Sequence, residues 1–143
     1  MIKTIIIDDE PLATGIVQEY LVENKDFEVL AVCHDGFEGL KAIHKHQPDL
    51  IFLDVQMPKI SGFEMLELLE ELPAVIFTTA FDEYALQAFE VHAIDYLLKP
   101  FSQERFKKAI EKYRQSGFAQ NVTDLLNNEN VDVKSSLLKT FNI

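Results

Sequence analysis

Apolar residues in this chain fall into short unbroken runs separated by stretches with helical spacing. The runs are residues 3–7 (KTIII), 27–33 (FEVLAVC), 50–53 (LIFL), 74–78 (AVIFT) and 94–98 (IDYLL). Leu50, Ile51, Phe52 and Leu53 are too few and too uniformly apolar for an amphipathic helix. They read as a strand buried on both faces, as in a parallel sheet. The run at 27–33 carries Glu28 and suits a sheet edge.

Between the runs the period changes. The stretch after Pro11 predicts a helix with Leu12, Ile16, Tyr20 and Leu21 on one face. A second helix from Gly36 to about Lys45 turns Phe37, Leu40 and Ile43 inward. A third begins at Ser61 and Gly62, carries Phe63, Leu66 and Leu69 at helical spacing, and ends at Pro73. Its outer face holds Glu64, Glu67, Glu70 and Glu71, a solvated side. A fourth covers residues 82–90 with Ala85, Ala88 and Phe89 inward. The last starts at the N-cap Ser102 and buries Phe106, Ala109, Ile110 and Tyr113.

Strict alternation with short connections predicts an α/β fold: a flavodoxin-like (βα)5 doubly wound parallel sheet, strand order 2-1-3-4-5. Residues 1–116 form this domain. Residues 117–143 lack sustained periodicity and read as a linker or tail, with a weak helix near 124–127.

Composition narrows the class. The 143 residues suffice for one core, 48% are hydrophobic, and the formal net charge is -11. An acidic segment does not grip nucleic acid by itself, because phosphate contacts need a basic footprint. No run approaches the ~18 apolar residues of a membrane span. One cysteine, Cys33, excludes an internal disulfide. The N-terminus has no signal-peptide layout, and a cytoplasmic location is expected. His34, His44, His46 and His92 read as surface or packing residues, since no pair shares a helical face at ligand spacing.

Chemistry-bearing residues cluster at strand ends. The first strand delivers Asp8 and Asp9, the third Asp54, the fourth Thr79 and the fifth Lys99. In the 2-1-3-4-5 order these ends are expected to converge, because ligands of open α/β sheets bind at the carboxyl edge. Three carboxylates and one lysine leave two negative charges, which one divalent cation such as Mg²⁺ neutralises. Mg²⁺ prefers one or two carboxylates with water and phosphate oxygen. That leaves a carboxylate free to be a nucleophile, and an aspartate can accept a phosphoryl group as an acyl phosphate. Asp54, the central one, is the best candidate. Lys99 and the Thr79 hydroxyl would meet the phosphoryl oxygens. Taken singly, Asp8 reads as a helix cap, Asp54 as a turn acid, Thr79 as an N-cap and Lys99 as a solvated lysine. Their joint placement reverses that.

Asp8 and Asp9, Asp54 within LDVQMP, Gly62, Thr79 and Ala80, and Tyr96 three before Lys99-Pro100 together resemble a response-regulator receiver domain, over about residues 2–115. The run at 79–102 (TAFDEYALQAFEVHAIDYLLKPFS) further resembles receivers of LytTR-type DNA-binding regulators. The resemblance implies a phosphorylation switch, not an enzyme, in a two-component system. Asp54 would be phosphorylated by a sensor histidine kinase. Asp9 and Asp54 would ligate Mg²⁺ directly, Asp8 through water, and the Gln56 backbone carbonyl would be a further ligand. Lys99 would pair with the phosphoryl group across a cis Lys99-Pro100 bond. Thr79 and Tyr96 would be the switch residues, altering the face of the fourth helix, fifth strand and fifth helix, through which a phosphorylated homodimer would form. Transcription control and DNA binding would belong to an output domain beyond residue 143, with no membrane partner.

Other classes fit less well. A stand-alone receiver or a phosphate-independent protein-binding module is the main alternative. A haloacid-dehalogenase-like phosphatase wants Asp-x-Asp-x-Thr after the first strand, where this chain has Asp8-Asp9-Glu10-Pro11-Leu12. Flavin binding needs a hydroxyl- and glycine-rich phosphate loop at the same place, and the three acids would repel a phosphate there.

Overall fold

A computed structural model describes residues 1–115 and 133–143, the side chains of 133–136 excepted. Five strands alternate with helices: β1 (Ile2–Ile7), α1 (Pro11–Leu21), β2 (Phe27–Cys33), α2 (Gly36–His46), β3 (Leu50–Leu53), α3 (Gly62–Glu67), β4 (Ala74–Thr79), α4 (Ala85–Glu90), β5 (Asp95–Leu98) and α5 (Gln103–Gln115). A further helix, here α6, spans Val133–Thr140. The strand order is β2-β1-β3-β4-β5, as the alternation predicted. Among the described residues no helix is long and apolar enough to cross a membrane.

Two compact units make up the chain, Met1–Val75 and Ile76–Ile143. In the first, β1 runs parallel to both β2 and β3. All four residues of β3 are fully buried, worth roughly 1.5–3 kcal/mol for each large side chain removed from water. β2, with its exposed Glu28, is the edge strand. In the second unit β4 and β5 pair in parallel, and α5 packs on β5.

The helix ends follow their sequence signals. Pro11 opens α1, the Asp35 side chain accepts from the Glu38 N–H, and Ser61 with Glu64 forms a reciprocal capping box. The Ser102 hydroxyl accepts from the Arg105 N–H at 3.1 Å.

The buried faces correct several expectations. In α1, Leu12 is 83% exposed and Ile16 38%, while Ala13, Thr14, Val17 and Leu21 are buried. In α2, Phe37 is half exposed, and Gly36, Gly39 and Ile43 face inward. A β-carbon on Gly39 would lie 2.8 Å from the Ile7 Cδ1, so α2 runs close to the Ile7 side chain, which would have to shift for a larger residue there. α3 ends at Glu67, short of Pro73, and α4 begins at Ala85 rather than 82, after a turn. Tyr113 is half-buried.

The sequence did not announce α6. Its eight residues carry too little periodicity to register, yet Leu137 and the following Phe141 are buried. The weak helix expected at 124–127 lies outside the described residues.

Candidate functional site

Strand register builds the site. Ile7 pairs with Leu53, so β1 and β3 end level. The residues after them, Asp8 and Asp54, leave the sheet side by side. The Asp54 N–H donates to the Ile7 carbonyl at 2.9 Å and the Asp8 N–H to the Cys33 carbonyl at 2.9 Å, extending the ladder one step past the strands. Both residues are buried.

Carboxylate oxygens of Asp8, Asp9, Glu10 and Asp54 all lie within 4.8 Å of one another. Ligands of Mg²⁺ stand about 2.1 Å from the ion and so lie up to about 4.2 Å apart. The gathered oxygens come close to that spacing, so a small side-chain shift would close these hard donors on such an ion. The Asp8 Oδ1 also accepts from the Glu10 N–H at 2.9 Å, which pins one of its oxygens. Glu10, exposed, joins the group without having been singled out in the sequence.

The loop beyond Asp54 is held by a close backbone approach. The Gly62 N–H donates to the Val55 carbonyl at 2.8 Å. A β-carbon at Gly62 would fall 2.4 Å from the Asp54 carbonyl oxygen. The first turn of α3 can therefore seat against this loop only with glycine there. Gln56, whose carbonyl was expected to be a ligand, lies in this loop two residues past Asp54 and is exposed.

Within the second unit, Thr79 pairs with Leu98, and the Lys99 N–H donates to the Thr79 carbonyl at 2.7 Å. The two residues thus leave neighbouring strands together. The Lys99-Pro100 bond is cis, as the resemblance implied. The Thr79 hydroxyl accepts from the Phe81 N–H at 3.3 Å. Tyr96 is fully buried, and its hydroxyl donates to the Phe81 carbonyl. Burial, followed by the charges of Asp82 and Glu83, pushes the Tyr96 phenol far above its ordinary range, against a lowering backbone hydrogen bond from Tyr84. Thr79 and Tyr96, both expected to be switch residues, are thereby joined through Phe81.

A buried ion pair in β5 was not expected from the sequence. Asp95 in β5 is fully buried and accepts from Arg105 through two 2.7 Å bonds, with the Lys112 ammonium 3.3 Å away. The signal was present, since an acid inside an otherwise apolar strand needs a cationic partner. Burial lowers the Lys112 pKa even though Asp95 pulls it the other way.

The histidines give no ligand set among the described residues. His92 sits in the left-handed region at φ 59°, just past α4. There the His92 N–H reaches the Phe89 carbonyl and the Ala93 N–H the Ala88 carbonyl, the two bonds of a Schellman cap.

A family model described as the response regulator receiver domain matches residues 4–111. The transcriptional regulatory protein BtsR of Escherichia coli is 48% identical over 131 residues, covering 90% of this chain and 55% of that protein. An uncharacterized response regulatory protein of Vibrio cholerae is 47% identical over 114 residues, covering 78% of this chain and 48% of the relative. The chain thus spans about half the length of the curated relatives it matches. Among solved structures, the response regulatory domain of mrkE from Klebsiella pneumoniae superposes with a TM-score of 0.73 at 30% identity, covering 82% of this chain and 98% of that one. Receiver domains are phosphoacceptor modules of two-component signalling rather than enzymes, and they bind Mg²⁺ at an acidic pocket. On the family match and these identities, the chain belongs to the response regulator receiver domains.

Proposed function

We propose that Asp54 is the phosphoacceptor and that Asp8, Asp9, Asp54 and the Gln56 carbonyl hold Mg²⁺. The observation that carries this reading is the gathered carboxylate oxygens at the ends of β1 and β3. One Asp54 carboxylate oxygen attacks the phosphorus of the donor, and the bond from phosphorus to the donor breaks with its electron pair leaving on the donor. The product is an acyl phosphate on Asp54. Bound Mg²⁺ supplies neutralising charge for the phosphoryl oxygens. Lys99 pairs with the phosphoryl group and the Thr79 hydroxyl donates to it, releasing its hold on the Phe81 N–H. Tyr96 follows through Phe81.

The donor in the cell is a sensor histidine kinase, and the location is cytoplasmic. Residues 1–116 form the receiver, and 117–143 lead toward an output domain. The relatives named as transcriptional regulators extend well past this chain, which supports transcription control by the parent protein; the resemblance of residues 79–102 supports an output domain of the LytTR DNA-binding type. Phosphorylation favours a homodimer through α4, β5 and α5.

Intact-mass spectrometry after incubation with a small acyl-phosphate donor and Mg²⁺ tests the reading. One phosphoryl group on the parent chain and none on Asp54→Ala is the expected result. A folded chain that takes none is a phosphate-independent binding module, and the kinase drops out.

A further inference from the structure

We propose that the C-terminal helix α6 is an internal ligand of the α4–β5–α5 face, seated on Tyr96, and that it must leave before any partner can use that face. The helix has eight residues, and isolated helices shorter than about 12–15 residues are marginal in water. Its order in the fold therefore comes from what it packs against, which is α4. Leu137 and Phe141 are 2% and 1% exposed.

Three contacts fasten the far end. The Phe141 ring lies 5.8 Å from the Tyr96 ring, tilted by 38°. The Phe141 carbonyl accepts from the same Arg105 guanidinium that holds Asp95. The Lys112 ammonium donates to the Thr140 carbonyl. Thus the two cations around the buried Asp95 also take the tail's last carbonyls. That suits the negative end of a helix dipole.

The helix is also terminated to stay. Asn142 stands at φ 57°, with its N–H on the Lys139 carbonyl at 3.0 Å and the Ile143 N–H on the Leu138 carbonyl at 2.8 Å. These are the paired bonds of a Schellman cap, with asparagine in the left-handed position.

The contacts form a continuous path: Thr79 to Phe81, Phe81 to Tyr96, Tyr96 to Phe141. Tyr96 cannot swing outward while Phe141 covers it. Coupling of this kind is reciprocal, so whatever frees Tyr96 loosens the tail, and losing the tail frees Tyr96. The link to phosphorylation rests on Asp54 being the phosphoacceptor; the docking itself does not.

Hydrogen exchange followed by mass spectrometry on the full chain tests both parts. In the unmodified protein, amides of residues 137–143 exchange at least about tenfold more slowly than in Phe141→Ala, as expected for a docked segment that opens locally. Peptides covering residues 50–53 exchange alike in both, showing that the variant is folded. Equal exchange of the tail in the two proteins overturns the docking. In protein confirmed by mass to be phosphorylated, tail exchange rises toward that of Phe141→Ala, and no rise overturns the coupling. A chain that takes no phosphoryl group sinks the Asp54 reading and the coupling with it, while the unmodified comparison still decides the docking.

Discussion

Gly62 leaves no room for a side chain against Asp54: an added β-carbon would meet the Asp54 carbonyl oxygen at 2.4 Å. Both partners in that clash are backbone or fixed by it, so the loop rather than a rotamer must yield. Gly62→Ala is expected to cost about 1–3 kcal/mol in urea unfolding. It also slows phosphoryl uptake at Asp54 by moving the acceptor off the Asp8 and Asp9 carboxylates. Wild-type stability together with a wild-type labelling rate would contradict this account of the loop.

The cluster around Asp95 is unequal. Arg105 makes two 2.7 Å bonds to a fully buried carboxylate and has 15% of its side chain exposed, whereas Lys112 sits at 3.3 Å with 32% exposed. Removing the main partner of a buried charge costs about 3–5 kcal/mol. Arg105→Ala should approach that figure, and Lys112→Ala should cost clearly less. Chemical denaturation of the two variants side by side checks the ranking.

Tyr96→Phe deletes one hydroxyl whose partner is the Phe81 carbonyl. The expected loss is about 1 kcal/mol of stability. Faster amide exchange at Phe81 should accompany it, because the Phe81 N–H is held in turn by Thr79. A loss of stability with no change at Phe81 would break the proposed path.

Cys33 should be a poor nucleophile. Burial, then the nearby charges of Glu38 and Asp35, pushes its thiol up from 9.0 to about 11. The folded pKa lies above the unfolded one, so the protonated thiol favours the native state. Its contribution is whole below pH 9 and is lost as pH rises through about 11. Relative to Cys33→Ala, the parent protein loses stability across that window. At pH 8, iodoacetamide should alkylate the folded chain far more slowly than the urea-unfolded chain.

The central strand and the acids were legible because each depends on local sequence. A four-residue apolar run ending in Asp54 admits few other readings, and Asp8 and Asp54 follow from register once the strands are paired. Helix faces were less legible. Bulky residues at helical spacing pointed to an inward face, which put Leu12 and Phe37 inside. The close contact of α2 with the Ile7 side chain instead favours a small residue at position 39, and Phe37 turns outward. Helix α6 was invisible for a different reason. Its eight residues owe their shape to a surface far away in sequence, and only Asn142 as a stop residue hinted at it. The Asp95 pair was missed although an acid inside a strand pointed to it.

Tyr96 neighbours two other rings, 6.2 Å from Phe77 and 5.8 Å from Phe141. The chain has four tyrosines and no tryptophan. No indole absorbance masks the phenols, and one phenol is buried among tilted aromatic rings with its ionisation pushed far upward. The domain therefore carries its own optical label. Near-ultraviolet circular dichroism of the untagged chain reads the state of that aromatic cluster without dye or mutation, and an alkaline absorbance titration should leave Tyr96 un-ionised for as long as the fold survives.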